Sequence, residues 1–261
     1  MPRWAGHGAH RVDLDSVNGG EAAELSSGQG YLDWLGDVFV PIHRDGHKFL
    51  GLSLLATIVA FLIWSPLGWL LTLVTAWIAY FFRDPDRVTP LREGLVIAPA
   101  DGRIVALERV MPPTELGLDG GERNRISIYL SLFDCHVNRA PIAGRITRSV
   151  YVPGAFLSAT NDKASEDNER RALVIESPTG TEIAVLQIAG LISRRIVTFA
   201  GEGDTVGVGQ RFGLIRFGSR VDVYLPPGQS SLAAVGQRTI AGETVLADLN
   251  SDEQEREARR S

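Results

Sequence analysis

Gly218-Ser219 is the pair of residues whose types and order offer the most chemistry. It interrupts residues 211–226, RFGLIRFGSRVDVYLP, which otherwise alternate as one strand region. A glycine inside such a region marks a bulge or bend. A serine placed after it can direct its Oγ at the preceding carbonyl, with no side chain on Gly218 in the way. Attack there gives an N→O acyl shift and an ester. Removal of the Ser219 α-proton eliminates the ester, and hydrolysis of the dehydroalanine leaves a pyruvoyl ketone at a new amino terminus. A plain glycine kink in a structural strand is the other reading of the same two residues.

Other routes to catalysis are poorly supplied. The histidines are His7, His10, His43, His47 and His136, and only His136 lies in the β-rich part of the chain, so no metal is expected. Cys135 and His136 are neighbours, but adjacent residues on a strand face opposite ways, so Cys135 reads as a small buried residue and not half of a dyad. As the single cysteine it excludes an internal disulfide. No Walker-type glycine loop is present, and a net charge of −5 excludes a basic nucleic-acid surface. Lys48 and Lys163 are the only lysines, which leaves few candidates for a lysine Schiff base.

Two kinds of element must position the Gly-Ser pair. Phe49–Phe82 contains no charged residue, and as one straight helix it would reach about 50 Å, beyond a hydrocarbon core of about 30 Å. Ser65-Pro66-Leu67-Gly68 at its middle predicts two apolar helices, 49–64 and 67–82, joined by a tight turn. Arg44 and Lys48 before the run, and Arg83 and Arg87 after it, place both flanks on the cytoplasmic side of a cell membrane. A buried core hairpin is the alternative. Residues 1–30 lack periodicity and read as disordered, 31–48 as an amphipathic interfacial stretch, and 251–261 as a charged tail.

Residues 88–250 read almost wholly as short strands bounded by Gly or Pro. Pro99-Ala-Asp-Gly-Arg-Ile recurs as Pro141-Ile-Ala-Gly-Arg-Ile, and Gly203 with Gly209-Gln210 is echoed by Gly236 with Gly242-Glu243. Repeats of this kind predict a mainly β domain, a compact β-sandwich or flattened barrel of related hairpins.

Seven segments stand in a telling order: Phe82-Arg83-Asp84-Pro85, Ala98-Pro99-Ala100-Asp101-Gly102, the run from Leu130 to Pro141, Asp162-Lys163-Ala164-Ser165, Asn168-Glu169-Arg170, Arg194-Arg195-Ile196-Val197 and Phe217-Gly218-Ser219-Arg220. Over roughly residues 80–228 this closely resembles the short, archaeal-type branch of the phosphatidylserine decarboxylase family. The resemblance implies cleavage between Gly218 and Ser219 into a β chain (1–218) and an α chain (219–261) that stay partners. It also implies a pyruvoyl cofactor on Ser219 that forms a Schiff base with phosphatidylserine and yields phosphatidylethanolamine after CO₂ leaves, with neither metal nor pyridoxal phosphate. The scarcity of lysine fits a protein-derived carbonyl.

The resemblance further casts His136 as base or proton donor and Asp101 as an orienting carboxylate. It places Asn168, Glu169, Arg194 and Arg195 at the headgroup or carboxylate. The longer branch of the family carries two histidines three residues apart, and here Arg139 stands at the second place. Taken by themselves, Asp101 reads equally as a turn residue, His136 as a satisfied strand histidine and the others as a solvated polar face. Membrane lipid is an expected partner and a homo-oligomer is left open. Three rival readings are a lipoyl- or biotinyl-type carrier modified at Lys163, a pyruvoyl enzyme acting on a soluble amino acid, and a membrane-anchored β-domain without catalysis.

Overall fold

The computed structural model describes residues 40–155, 167–190, 195–216 and 219–251, with Glu253 and Arg256. The segment expected to be disordered, most of the amphipathic stretch, Lys163, Arg194, Gly218 and most of the charged tail lie outside the described residues.

After a short 3-10 turn at Arg44–Gly46 come two apolar helices, α1 (His47–Ile63) and α2 (Ser65–Phe81). Only Trp64 separates them, with an extended backbone at φ −160°. The break expected at Ser65–Gly68 therefore falls one residue earlier, and those four residues begin α2. Proline lacks an N–H, which costs nothing in a first turn whose N–H groups are unpaired anyway, so Pro66 starts this helix instead of ending one. Gly68 has a packing reason: a Cβ there would sit 2.4 Å from the Phe61 ring.

The helices are joined by hydroxyls. Thr75 Oγ1 lies 2.6 Å from Ser53 Oγ and 3.0 Å from Thr57 Oγ1. The rest of the hairpin surface is apolar, with Leu52, Leu62, Ile63, Trp64, Trp69 and Leu73 between 62 and 83% exposed. The segment Arg44–Ile63 is long and apolar enough to cross a membrane.

The remaining chain is β: β1 (Leu95–Ile97), β2 (Gly102–Val110), β3 (Arg123–Leu130), β4 (Val137–Arg139), β5 (Gly144–Val152), β6 (Arg170–Glu176), β7 (Glu182–Ala189), β8 (Ile196–Thr198), β9 (Thr205–Val206), β10 (Arg211–Ile215), β11 (Ser219–Tyr224), β12 (Arg238–Thr239) and β13 (Val245–Asp248). Eight strands form one antiparallel sheet in the order β12-β2-β3-β11-β7-β6-β5-β9, while β1-β13 and β4-β10-β8 form smaller sheets. The mainly β class expected from the sequence is the class observed.

The internal repeat explains this strand order. Gly236 N–H donates to Ile104 O at 2.8 Å and Gly203 N–H to Ile146 O at 2.8 Å. Gly242 N–H donates to Ala98 O at 2.9 Å and Gly209 N–H to Ala140 O at 2.8 Å. All four glycines have positive φ, which side chains resist. The matching pairs β2/β5, β3/β6, β12/β9, β1/β4 and β13/β10 make two related halves that meet where β11 pairs with β7.

One face of the large sheet, carrying Ile104, Ile126, Ile128, Leu130, Leu173, Val185, Val221 and Val223, forms the main core. The other face packs Leu116, Ala172, Val174, Leu186, Ile188 and Tyr224. A third cluster joins the foot of the hairpin, Phe81 and Phe82, to Cys135, Val137 and Leu214.

The repeated Gly-Arg-Ile motif yields a prediction. A Cβ on Gly102 would lie 2.2 Å from Tyr129 O, and one on Gly144 would lie 2.1 Å from Glu176 O. Gly102→Ala and Gly144→Ala should each lower stability by about 2 kcal/mol or more, because backbone carbonyls cannot swing aside. Gly201→Ala, at a position open to space, should stay within about 0.5 kcal/mol. Urea midpoints of the detergent-solubilised chain check all three.

Candidate active site

Ser219 is the first residue of β11, and its backbone is held on both sides, opposite Leu130 of β3 and Ala189 of β7. Alternation along the strand puts its side chain on the core face with Val221 and Val223, and the following Arg220 on the opposite face. There Arg220 makes a bidentate pair with Asp222, at 2.7 and 2.8 Å, which pins the strand's orientation. The Ser219 hydroxyl is fully buried and its Oγ has no hydrogen-bond partner among the described residues. A buried hydroxyl without a partner costs about 1–3 kcal/mol, a cost natural folds concentrate at functional places.

Two further orphans lie in the same neighbourhood. Gln187 Nε2 donates to Asn138 Oδ1 at 2.6 Å, while Asn138 Nδ2 and Gln187 Oε1 are buried without partners among the described residues. Gln187 sits opposite Val221, two residues from Ser219 on the same face of the sheet. Gly213 of β10 makes room for this pair, since a Cβ there would lie 3.0 Å from Gln187 Nε2. The sequence reading singled out neither amide for a role. A lone glutamine in an apolar strand was the available signal.

His136 closes the segment that leads from β3 to β4. Its carbonyl accepts the Ile215 N–H at 3.2 Å, which sets it beside the end of β10, three residues before the Gly-Ser pair. The ring is fully buried, and its centroid lies 4.4 Å from that of Phe81 at the end of α2. Nδ1 is 2.9 Å from Asp134 O. A carbonyl can only accept, so in the neutral ring Nδ1 carries the hydrogen and the lone pair is on Nε2.

Burial pushes the His136 pKa down to about 4; Arg83 pushes the same way, against Asp134. The imidazole is therefore neutral at pH 7, and Nε2 is an unprotonated base. Asp134 itself is fixed by Ser131, accepting from its N–H at 2.9 Å and its Oγ–H at 2.7 Å, and by Arg238. The Ser131-x-x-Asp134 spacing is the legible trace of that turn, and the sequence reading passed over Asp134.

The other expected residues divide into two groups. Asn168 and Glu169 come to the Ser219 region through Ala189: Asn168 Nδ2 donates to Ala189 O at 2.8 Å, and the Ala189 N–H donates to Glu169 O at 2.9 Å. Arg195 is exposed next to β10, its carbonyl accepting the Arg216 N–H at 3.3 Å.

Asp101 is not brought to His136. Its oxygens are taken by Arg87, at 2.7 Å, and by the Ala241 N–H, at 2.7 Å, so it ties the chain leaving the hairpin to the turn before β13. Arg139 makes a similar tie, donating to Pro85 O at 2.8 Å and Gly209 O at 3.1 Å and pairing with Asp84. Cys135 and His136 do not pair: the thiol donates to Arg83 O at 3.3 Å, and burial raises its pKa. Among the described residues no His, Cys, Asp and Glu group could hold a metal ion.

A β-domain with a buried hydroxyl at a strand start, a buried neutral imidazole whose backbone bonds the end of β10, and an apolar hairpin at its edge defines the kind of protein in hand. The family described as phosphatidylserine decarboxylase matches residues 74–247. A protein of Nitrobacter winogradskyi named phosphatidylserine decarboxylase proenzyme is 63% identical over 209 residues, covering 80% of this chain and 85% of that protein. Another of the same name, from Ruegeria pomeroyi, is 57% identical over 214 residues, 82% of this chain and 98% of that protein. The chain belongs to the phosphatidylserine decarboxylase family.

The buried imidazole has a consequence for stability. Unfolded, it takes a proton near 6.5; folded, only near 4. Between those values the unfolded state binds more protons, so this group's contribution is complete above pH 6.5 and is lost as pH falls toward 4. From pH 7 to pH 5 the loss should be about 2 kcal/mol. Urea midpoints at the two pH values should differ less in His136→Gln by that amount, and equal pH dependence in both proteins would rule out a neutral buried ring.

Proposed function

We propose that this chain is the precursor of a phosphatidylserine decarboxylase that cuts itself between Gly218 and Ser219. The observation that carries the reading is the Ser219 hydroxyl, fully buried and unpartnered on a backbone fixed from both sides. With its oxygen engaged by no other group among the described residues, it is assigned the attack on the Gly218 carbonyl carbon. The peptide C–N bond breaks as the C–O bond forms, and the Ser219 amine is released. Loss of the α-proton then expels the Gly218 carboxylate, and water replaces the nitrogen as ammonia departs. His136 Nε2 is the base assigned to these proton movements, oriented by the Asp134 carbonyl and kept neutral by burial against Phe81.

The resulting pyruvoyl group supplies a ketone that takes up the amine of phosphatidylserine and the electrons released with CO₂. Asp101 serves by bracing the turn that precedes β2. Asn168, Glu169, Arg194 and Arg195 are assigned to the headgroup. Cutting before Ser219 leaves the small chain anchored, because β11 keeps six residue pairs with β3 and six with β7. Its other strands, β12 and β13, remain paired with β2 and β1.

The hairpin gives the substrate its route. Each 17-residue helix is about 25 Å long, short of a core of about 30 Å. Both ends of the hairpin return to the same side, flanked by basic residues, which supports a β-domain at the cytoplasmic membrane surface. The foot of the hairpin touches His136 through Phe81 and β10 through Phe49 and Arg216. A lipid held in the bilayer thus meets the site at headgroup level, an arrangement a soluble amino acid would not require.

Intact mass tests this directly. Wild-type protein should give two chains, residues 1–218 and 219–261, the smaller one blocked at its amino terminus and reducible by borohydride. Ser219→Ala should remain one chain and form no phosphatidylethanolamine. An uncut, active wild type with an ordinary serine at 219 would refute the mechanism.

A further inference from the structure

We propose that Arg216 is a phosphodiester clamp, set at the foot of the hairpin to hold the phosphate of the lipid headgroup; this deepens, and rests on, the decarboxylase reading. Among the described residues Arg216 is an exception. Its side chain is only 19% exposed; its Nε is buried without a partner, as are those of Arg123, Arg125 and Arg171, but unlike theirs its terminal nitrogens make no hydrogen bond either. The other arginines with side chains as buried, Arg87, Arg123, Arg125, Arg139, Arg170 and Arg220, each hydrogen-bond at least one oxygen. Arg216 has instead a loose ion pair, 3.7 Å from Asp45 Oδ2, and that oxygen also lacks a hydrogen bond. Two half-buried charges left so poorly satisfied cost stability unless something else completes them.

The location identifies what completes them. The Arg216 guanidinium lies 5.3 Å from the centroid of Phe49, in the first turn of α1, where the apolar hairpin begins. Arg44, exposed, is 6.0 Å from the Phe199 ring beside it, and exposed Arg195 is bonded to the Arg216 backbone. The surroundings are cationic, and among the described residues Asp45 is the only acid that pairs with Arg216. A guanidinium fork matches two oxygens of a phosphate. Arg216 also stands three residues before Ser219, which chain length alone keeps within about 11 Å of it. Two carbons separate the amine of a serine headgroup from its phosphodiester, so an amine at residue 219 leaves the phosphate within reach of this side chain. Asp45 then acts as a placeholder that the phosphodiester displaces.

The test measures binding, apart from turnover. Dihexanoyl phosphatidylethanolamine below its micelle threshold carries the phosphodiester without the carboxylate, and calorimetry reads its affinity for the detergent-solubilised full chain. Arg216→Gln should weaken binding at least tenfold, and Asp45→Asn should tighten it several-fold by releasing the clamp. Unchanged affinity in Arg216→Gln overturns the proposal. If that variant does not fold, unchanged or weaker binding in Asp45→Asn overturns it equally. Loss of binding to phosphatidylglycerol vesicles with intact binding of the short-chain lipid would assign Arg216 to bulk anionic lipid, and also overturns it. A wild type that binds through Arg216 but never cuts itself would keep the clamp and remove the decarboxylase reading. One that decarboxylates yet binds without need of Arg216 would do the reverse.

Discussion

Ser219 is pinned by backbone ladders on both sides while its hydroxyl has no partner among the described residues, and the other features of the site follow from that tension. β11 lies in the interior of the eight-stranded sheet, so its first residue can neither fray nor rotate to find water. In an edge strand the same hydroxyl would be solvated and ordinary. The sheet therefore fixes the hydroxyl to which the proposed cleavage assigns the attack. Were the bond before it cut as proposed, the ladders to β3 and β7 would still hold β11 in place.

The second constraint is the contact between the hairpin foot and the site. Phe81 and Phe82 end the apolar run and pack at once on Cys135, Val137 and Leu214. Burial against Phe81 keeps the His136 ring neutral, and the Asp134 carbonyl orients it through Nδ1. The hairpin foot and the imidazole thus share side chains, so a change in how the hairpin seats would be felt by the ring. Arg216 extends this coupling to the strand that leads into the cleavage site.

The internal repeat shows where the fold gave up symmetry for chemistry. Gly102 and Gly144 do the same work, each letting a neighbouring carbonyl approach where a methyl would collide. Between these matched glycines and the prolines before them, one half has Asp101 and the other Ala143. The aspartate uses both oxygens to fasten the linker from the hairpin and the turn before β13. The two halves meet at β11 and β7, the most enclosed place in the sheet, and that is where Ser219 stands.

By itself the sequence determined the classes of element. An uncharged run broken near its middle points to an apolar hairpin, and short alternating strands with recurring Gly-Arg-Ile and recurring glycines point to a β-domain of related hairpins, because these are local consequences of hydrophobic period. The positive φ of those glycines and the pairing of two halves belong to the fold. Gly218-Ser219 and His136 could be nominated from the sequence for a similar reason: each is the one candidate of its kind in a suitable setting. Partners that depend on distant segments were decided only by the tertiary structure. The orienting bond to His136 comes from a backbone carbonyl, which no residue type announces, and Asp101 is occupied elsewhere by Arg87 and Ala241. The Asn138–Gln187 pair spans two sheets, and Arg216 gains its meaning only from Asp45 and Phe49, more than 150 positions earlier in the numbering. Proline at 66 could end one helix or start the next, and the packing of Phe61 on Gly68 settled which. Hydrogen bonds and burial are properties of three-dimensional neighbourhoods, so a pattern along the chain can nominate a group but cannot say what will satisfy it.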